Sequence, residues 1–302
     1  MKFKGSLNFL SAKKIIALFS CGAAAFLGLR AYQAFALLDP ESGFFTDRGN
    51  LTVKLFFLLA AALVIITPLL LYLTPLSKAE YIEPKEHFFH GLISLGLGLT
   101  AGYNSFELMR SSGAEKTVLP LMISGAAAGI VFIIDAVGFF SKGKIVQKLK
   151  ILNLIPVIWA LFLTINNFTL TTSYLNNTAL LINIFADAFL MIFLFQYAKK
   201  FSGIYGDANS PSFIYFALMS ALLEISSFIS SLISVLAKGS SASFFAITPY
   251  RLFAAAFCVS ALAIMLKNKV PDYAPDSNEE EIKTAPFDLP SDEGETEEEN
   301  EA

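Results

Sequence analysis

The chain has 302 residues, of which 55% are hydrophobic and 16% charged, at a mean hydropathy of +0.61. An ordinary soluble domain carries about a quarter charged residues. The apolar excess is gathered in blocks near the roughly 20 residues that a helix needs to cross a bilayer, which excludes a soluble domain as the main body. The net charge of −3 hides a division: residues 272–302 sum to −12 and the rest to +9. A basic membrane body is therefore followed by an acidic tail.

In chain order the apolar blocks fall at 15–38, 55–74, 87–109, 118–140, 151–172, 179–198, 212–236 and 248–266. Lipid cannot satisfy backbone N–H and C=O groups, and the blocks lack the alternation of barrel strands, so they are expected to be helices. The predicted fold is all-α: a polytopic transmembrane helix bundle of about eight spans over residues 1–270, with a disordered acidic tail at 271–302. With the N-terminus inside, the inner loops and ends carry 14 Lys/Arg and the outer loops 5. That bias places both termini in the cytoplasm. The compact loops suggest a bacterial cytoplasmic membrane.

At the first block, Leu18-Phe19-Ser20-Cys21 loosely resembles a lipoprotein cleavage site, but only about four apolar residues precede it, fewer than a signal peptide uses. Ala34-Phe35-Ala36 is a second cleavage candidate. Cleavage there would leave seven helices; the apolar run continuing through Leu38 favours a retained span. The acidic loop at 39–47 reads as a solvated turn, with cation binding as the alternative.

Several chemistries are absent. The chain has no phosphate-binding loop, no His-Glu-x-x-His and no Gly-x-Ser-x-Gly. Cys21 and Cys258 lie in separate apolar blocks, which makes neither a disulfide framework nor a zinc site. His87 and His90 share a face at the start of the third helix, with only Glu83 and Glu86 near in sequence, and read as interfacial side chains. No metal and no cofactor is expected. The basic loops have the spacing of topology signals and would meet the lipid bilayer, not nucleic acid.

The informative residues are ionisable groups inside the spans, because a charge near the bilayer centre costs several kcal/mol and usually faces the bundle interior. Asp187 lies roughly 12 Å into the sixth helix, with Asn183 one turn before it. Glu224 lies near the middle of the seventh. Ser220, Glu224, Ser227, Ser231 and Ser234 recur at steps of four and three, and so fall within roughly 40° of one line. Arg30 sits in the first helix. Asp135, Glu107 and Arg251 are secondary candidates, the last two near helix ends where long side chains can reach water. Asn166 and Asn167 lie in the fifth helix. The expected site uses helices one, six and seven, with Arg30, Asp187, Glu224, Asn183, Ser220 and Ser227 binding a small solute or cation.

Small residues on the third helix (Gly91, Ser94, Gly98, Ala101, Gly102, Ser105), the fourth (Gly125, Gly129) and the first (Ser20, Ala24, Gly28) read as close helix contacts. Three functional classes remain: non-ATP-driven transport or sensing at the buried site; a scaffold whose tail at 271–302 recruits a basic cytoplasmic partner; and an intramembrane enzyme using Glu224 and Asp187. The last is the weakest, since no nucleophile stands out.

Overall fold

The computed structural model describes residues 12–37, 51–73, 87–112, 118–141, 151–173, 178–202, 210–237 and 248–267. The chain divides into two units, Met1–Asn268 and Lys269–Ala302. The acidic loop at 39–47, Glu83, Glu86 and the tail at 271–302 lie outside the described residues.

Among the described residues the chain is all-helical, with eight α-helices and one short 3-10 turn at Leu152–Leu154. The helices are α1 (Ala12–Ala36), α2 (Leu51–Leu73), α3 (Phe88–Ser112), α4 (Leu119–Phe140), α5 (Ile155–Ser173), α6 (Thr178–Ser202), α7 (Ser210–Ala237) and α8 (Pro249–Lys267). Proline marks several starts. Pro249 opens α8, and Pro120 and Pro211 sit second in α4 and α7, where a missing N–H costs nothing.

Seven of the eight helices are long and apolar enough to cross a membrane. The exception is α3, whose 25 residues match the others in length but include Gly91, Gly96, Gly98, Gly102, Ser94 and Thr100. Its large apolar residues gather on the outside instead: Phe89, Leu92, Leu99 and Phe106 are all exposed, Phe89 by 77%. Similar exposed Leu, Ile and Phe side chains occur on every helix. Apolar surface of this extent is stable in hydrocarbon and not in water.

The helix neighbours define the architecture. Helices α3 to α8 close into a ring, each packed on the next and α8 returning to α3. The α1–α2 pair packs outside this ring against α7. The broadest interface is α3 against α4. There Gly98 and Gly129 approach so closely that a Cβ on either would lie 2.7–2.8 Å from the other's carbonyl oxygen. Ser94 Oγ donates to the Phe132 carbonyl at 2.9 Å across the same seam. The small-residue row of α1 behaves otherwise. Ser20, Ala24 and Gly28 are exposed, and nothing lies within 4 Å of a Cβ built on Gly28. The expectation of a helix contact there is corrected: α1 buries Phe19, Phe26, Arg30 and Gln33, whose larger side chains fill the seam.

The ring interior is largely aromatic. Phe132 meets Phe257 at 5.4 Å and Trp159 at 6.2 Å, and Tyr197 meets Phe201 at 4.4 Å and Phe257 at 4.8 Å. Edge-to-face and offset pairs at such spacings fill volume and leave a few fixed places for polar atoms.

Candidate functional site

Three helices of the ring bring charged groups together. Asp187 from α6 and Glu224 from α7 are both 0% exposed, and Arg251 from the first turn of α8 is 3% exposed. Arg251 Nη1 donates to Glu224 Oε2 at 2.9 Å and lies 3.3 Å from Asp187 Oδ1. Asn167 from α5 donates its amide N–H to Asp187 Oδ2. One arginine thus faces two carboxylates, and Glu224 Oε1 has no hydrogen-bond partner among the described residues. In a low-dielectric interior two carboxylates beside one guanidinium leave one negative charge uncompensated, and a held proton or cation removes it.

The polar stripe of α7 supplies the surroundings. Ser227 donates to Asn183 Oδ1 on α6, and Ser220 Oγ accepts from Cys258 Sγ of α8 at 3.4 Å. Ser231 Oγ lies 3.4 Å from Thr248 Oγ1. The stripe therefore faces α6 and α8. Thr248, immediately before α8, has φ of 51°, a left-handed conformation unfavourable for a β-branched residue. Its carbonyl accepts the Arg251 N–H at 3.1 Å, so the strained turn fixes the start of the helix that carries the cluster's cation.

Arg30 is not part of this cluster. It is 0% exposed on the α1–α7 seam, its Nε donates to Ser230 Oγ at 2.7 Å, and its guanidinium lies 5.8 Å from the Phe56 ring. Neither carboxylate lies within ion-pair distance of it. The place expected for Arg30 beside Asp187 and Glu224 is filled by Arg251, and the acid cluster spans α6, α7 and α8, with Asn167 from α5. The reason is angular. Ser230, which Arg30 touches, lies about 120° around α7 from Glu224, which meets Arg251.

Asp135 of α4 belongs to a second buried group. Its carboxyl interacts with the Tyr197 hydroxyl of α6. That hydroxyl lies 3.2 Å from His90 Nε2 of α3, and His90 Nδ1 lies 2.7 Å from Ser260 Oγ of α8. Four helices of the ring are joined by this chain of groups. His90 is therefore an interior residue boxed by Phe139 and Phe257 at 4.6 and 4.7 Å, which corrects its reading as an interfacial side chain. Glu107 is elsewhere: it accepts from Tyr103 Oη at 3.2 Å one turn away on α3 itself. No group of three metal-ligating side chains occurs among the described residues.

The fold and the buried charges define a multi-pass helical membrane protein. No family model matches the chain, and neither a curated protein nor a solved structure matches it.

Proposed function

We propose that the protein moves or senses a small solute or cation without ATP chemistry, and that the Asp187–Glu224–Arg251 cluster is where the coupling proton or cation is held. The observation that carries this reading is the surplus carboxylate. Two buried acids and one arginine, with Glu224 Oε1 unpartnered, are costly as a packing device and suited to reversible cation binding. Asn167, Asn183, Ser220 and Ser227 add neutral oxygens and N–H groups around it. In this reading α3 is the eighth span, both ends of the chain are cytoplasmic, and the residence is a bacterial cytoplasmic membrane, as the lysine and arginine distribution and compact loops favour.

The test is uptake by proteoliposomes carrying the purified full chain under an imposed proton or sodium gradient. A panel of labelled amino acids, sugars and monovalent cations serves as probes. Glu224→Gln and Asp187→Asn are each expected to lower uptake at least about tenfold while the protein still inserts. Full uptake by both variants removes the cluster from the mechanism. If deleting residues 272–302 instead abolishes function in cells while uptake persists without the tail, the acidic tail and a basic partner carry the role.

A further inference from the structure

Arg30 is the least satisfied charge in the described structure. A guanidinium presents five N–H donors. Only Nε is used, on Ser230; Nη1 and Nη2 are buried with no hydrogen-bond partner among the described residues. Two neighbours also carry a buried polar atom without a hydrogen-bond partner, an acceptor on Gln33 and a hydroxyl on Ser226. Gln33, one turn along α1, donates Nε2–H to the Thr52 carbonyl at 3.0 Å but leaves Oε1 unpartnered. Ser226 Oγ, one turn from Ser230, is buried and unpartnered as well. The nearest counter-charge in sequence on α7 is Glu224, about 9 Å along the helix from Ser230 and turned to the other side. It supplies no acceptor to the four Nη protons.

Its position supplies the ligand chemistry. Arg30 lies six residues before the end of α1, about 9 Å from it. The α1–α2 pair packs on α7 outside the ring. Phe56 of α2, stacked on Phe26 at 4.4 Å, is the ring beside the guanidinium. We infer that Arg30, flanked by Ser226, Ser230 and Gln33, is a binding site for a phosphate oxyanion, entered between α1 and α2 when Phe56 swings aside. The planar fork of the guanidinium matches two phosphate oxygens, and the Ser226 hydroxyl and the second N–H of the Gln33 amide donate to the others, while Ser230, whose hydroxyl donates to the Ser226 carbonyl, holds the guanidinium in place through Nε. The site is independent of the acid cluster in the ring.

The phosphate has two sources, a lipid headgroup or a free ion, and thermal unfolding of the purified full chain in detergent separates them. Short-chain phosphatidylglycerol, phosphatidylcholine and inorganic phosphate are added separately to wild type, Arg30→Gln and Arg30→Lys. Saturating phosphatidylglycerol is expected to raise Tm by at least about 3 °C in wild type, less in Arg30→Lys, and not at all in Arg30→Gln. A rise with phosphatidylglycerol alone identifies a lipid headgroup; an equal rise with inorganic phosphate identifies a free anion. No rise with either, or a lipid rise that survives in Arg30→Gln, overturns the assignment. If Arg30→Gln does not fold, Gln33→Leu replaces it. It should weaken the apparent affinity about threefold by removing one donor, and an unchanged affinity overturns the site.

Discussion

The ring of α3–α8 and the α1–α2 pair beside it each bury one arginine, and they treat it in opposite ways. Arg251 in the ring has two carboxylates within 3.3 Å. Arg30 at the α1–α7 seam has one serine and an aromatic ring. The two sites lie on different faces of α7, so one helix separates an excess of negative charge from an excess of positive charge. Removing charges from water costs several kcal/mol per ion, and close pairing recovers that cost only where the partners meet. The ring meets that condition for its arginine and leaves an acid over. The seam does not, and leaves donors over. Each surplus is suited to a ligand of opposite sign.

The largest expected effect sharpens this contrast directly. Arg251→Met leaves two buried carboxylates without their cation and should cost about 3–5 kcal/mol in unfolding free energy, measured by denaturant or thermal unfolding in detergent. Arg30→Met, in the absence of anionic lipid, strands no acid and should change stability by less than about 1 kcal/mol, or raise it. Equal losses in the two variants would erase the distinction. Packing should show the same asymmetry. Gly129→Val drives a side chain against the Gly98 carbonyl and should cost about 1–3 kcal/mol, whereas Gly28→Ala enters open space on α1 and should stay within about 0.5 kcal/mol or gain slightly from helix propensity.

A double-mutant cycle on Asp187→Asn and Glu224→Gln probes the shared arginine. Either single change leaves Arg251 one acid and the double change leaves none, so the two should couple by about 0.5–3 kcal/mol; additivity would show that the acids act independently. The smallest effect belongs to Ser226→Ala. Removing an unpartnered buried hydroxyl should be neutral or slightly stabilising in lipid-free detergent.

The helices and their approximate bounds were legible because a bilayer demands long apolar runs, and that signal needs no tertiary information. The acid pair was legible too: Asp187 and Glu224 are costly wherever they point, and the serine stripe of α7 gave the direction of Glu224. Their cation was harder to name. Arg251 lies in the first turn of α8, where sequence alone allows a long side chain to escape to water, while Arg30 lies deeper and so stood out. Which arginine reaches the acids depends on the order of helices around the ring, and hydropathy carries no information about neighbours. The same gap hid the turning inward of His90. The row of Ser20, Ala24 and Gly28 shows that a small-residue pattern permits a close contact without requiring one.

The most direct test of the account counts protons on the ring cluster. Purified protein in weakly buffered detergent is titrated with sodium or potassium chloride while free proton is recorded. A surplus carboxylate that exchanges a proton for a cation predicts release of up to about one proton per wild-type chain, lost in Glu224→Gln and in Asp187→Asn. No release from wild type, or the same release from both variants, would mean that the two acids and Arg251 are a sealed structural brace and that the protein's function lies elsewhere in the chain.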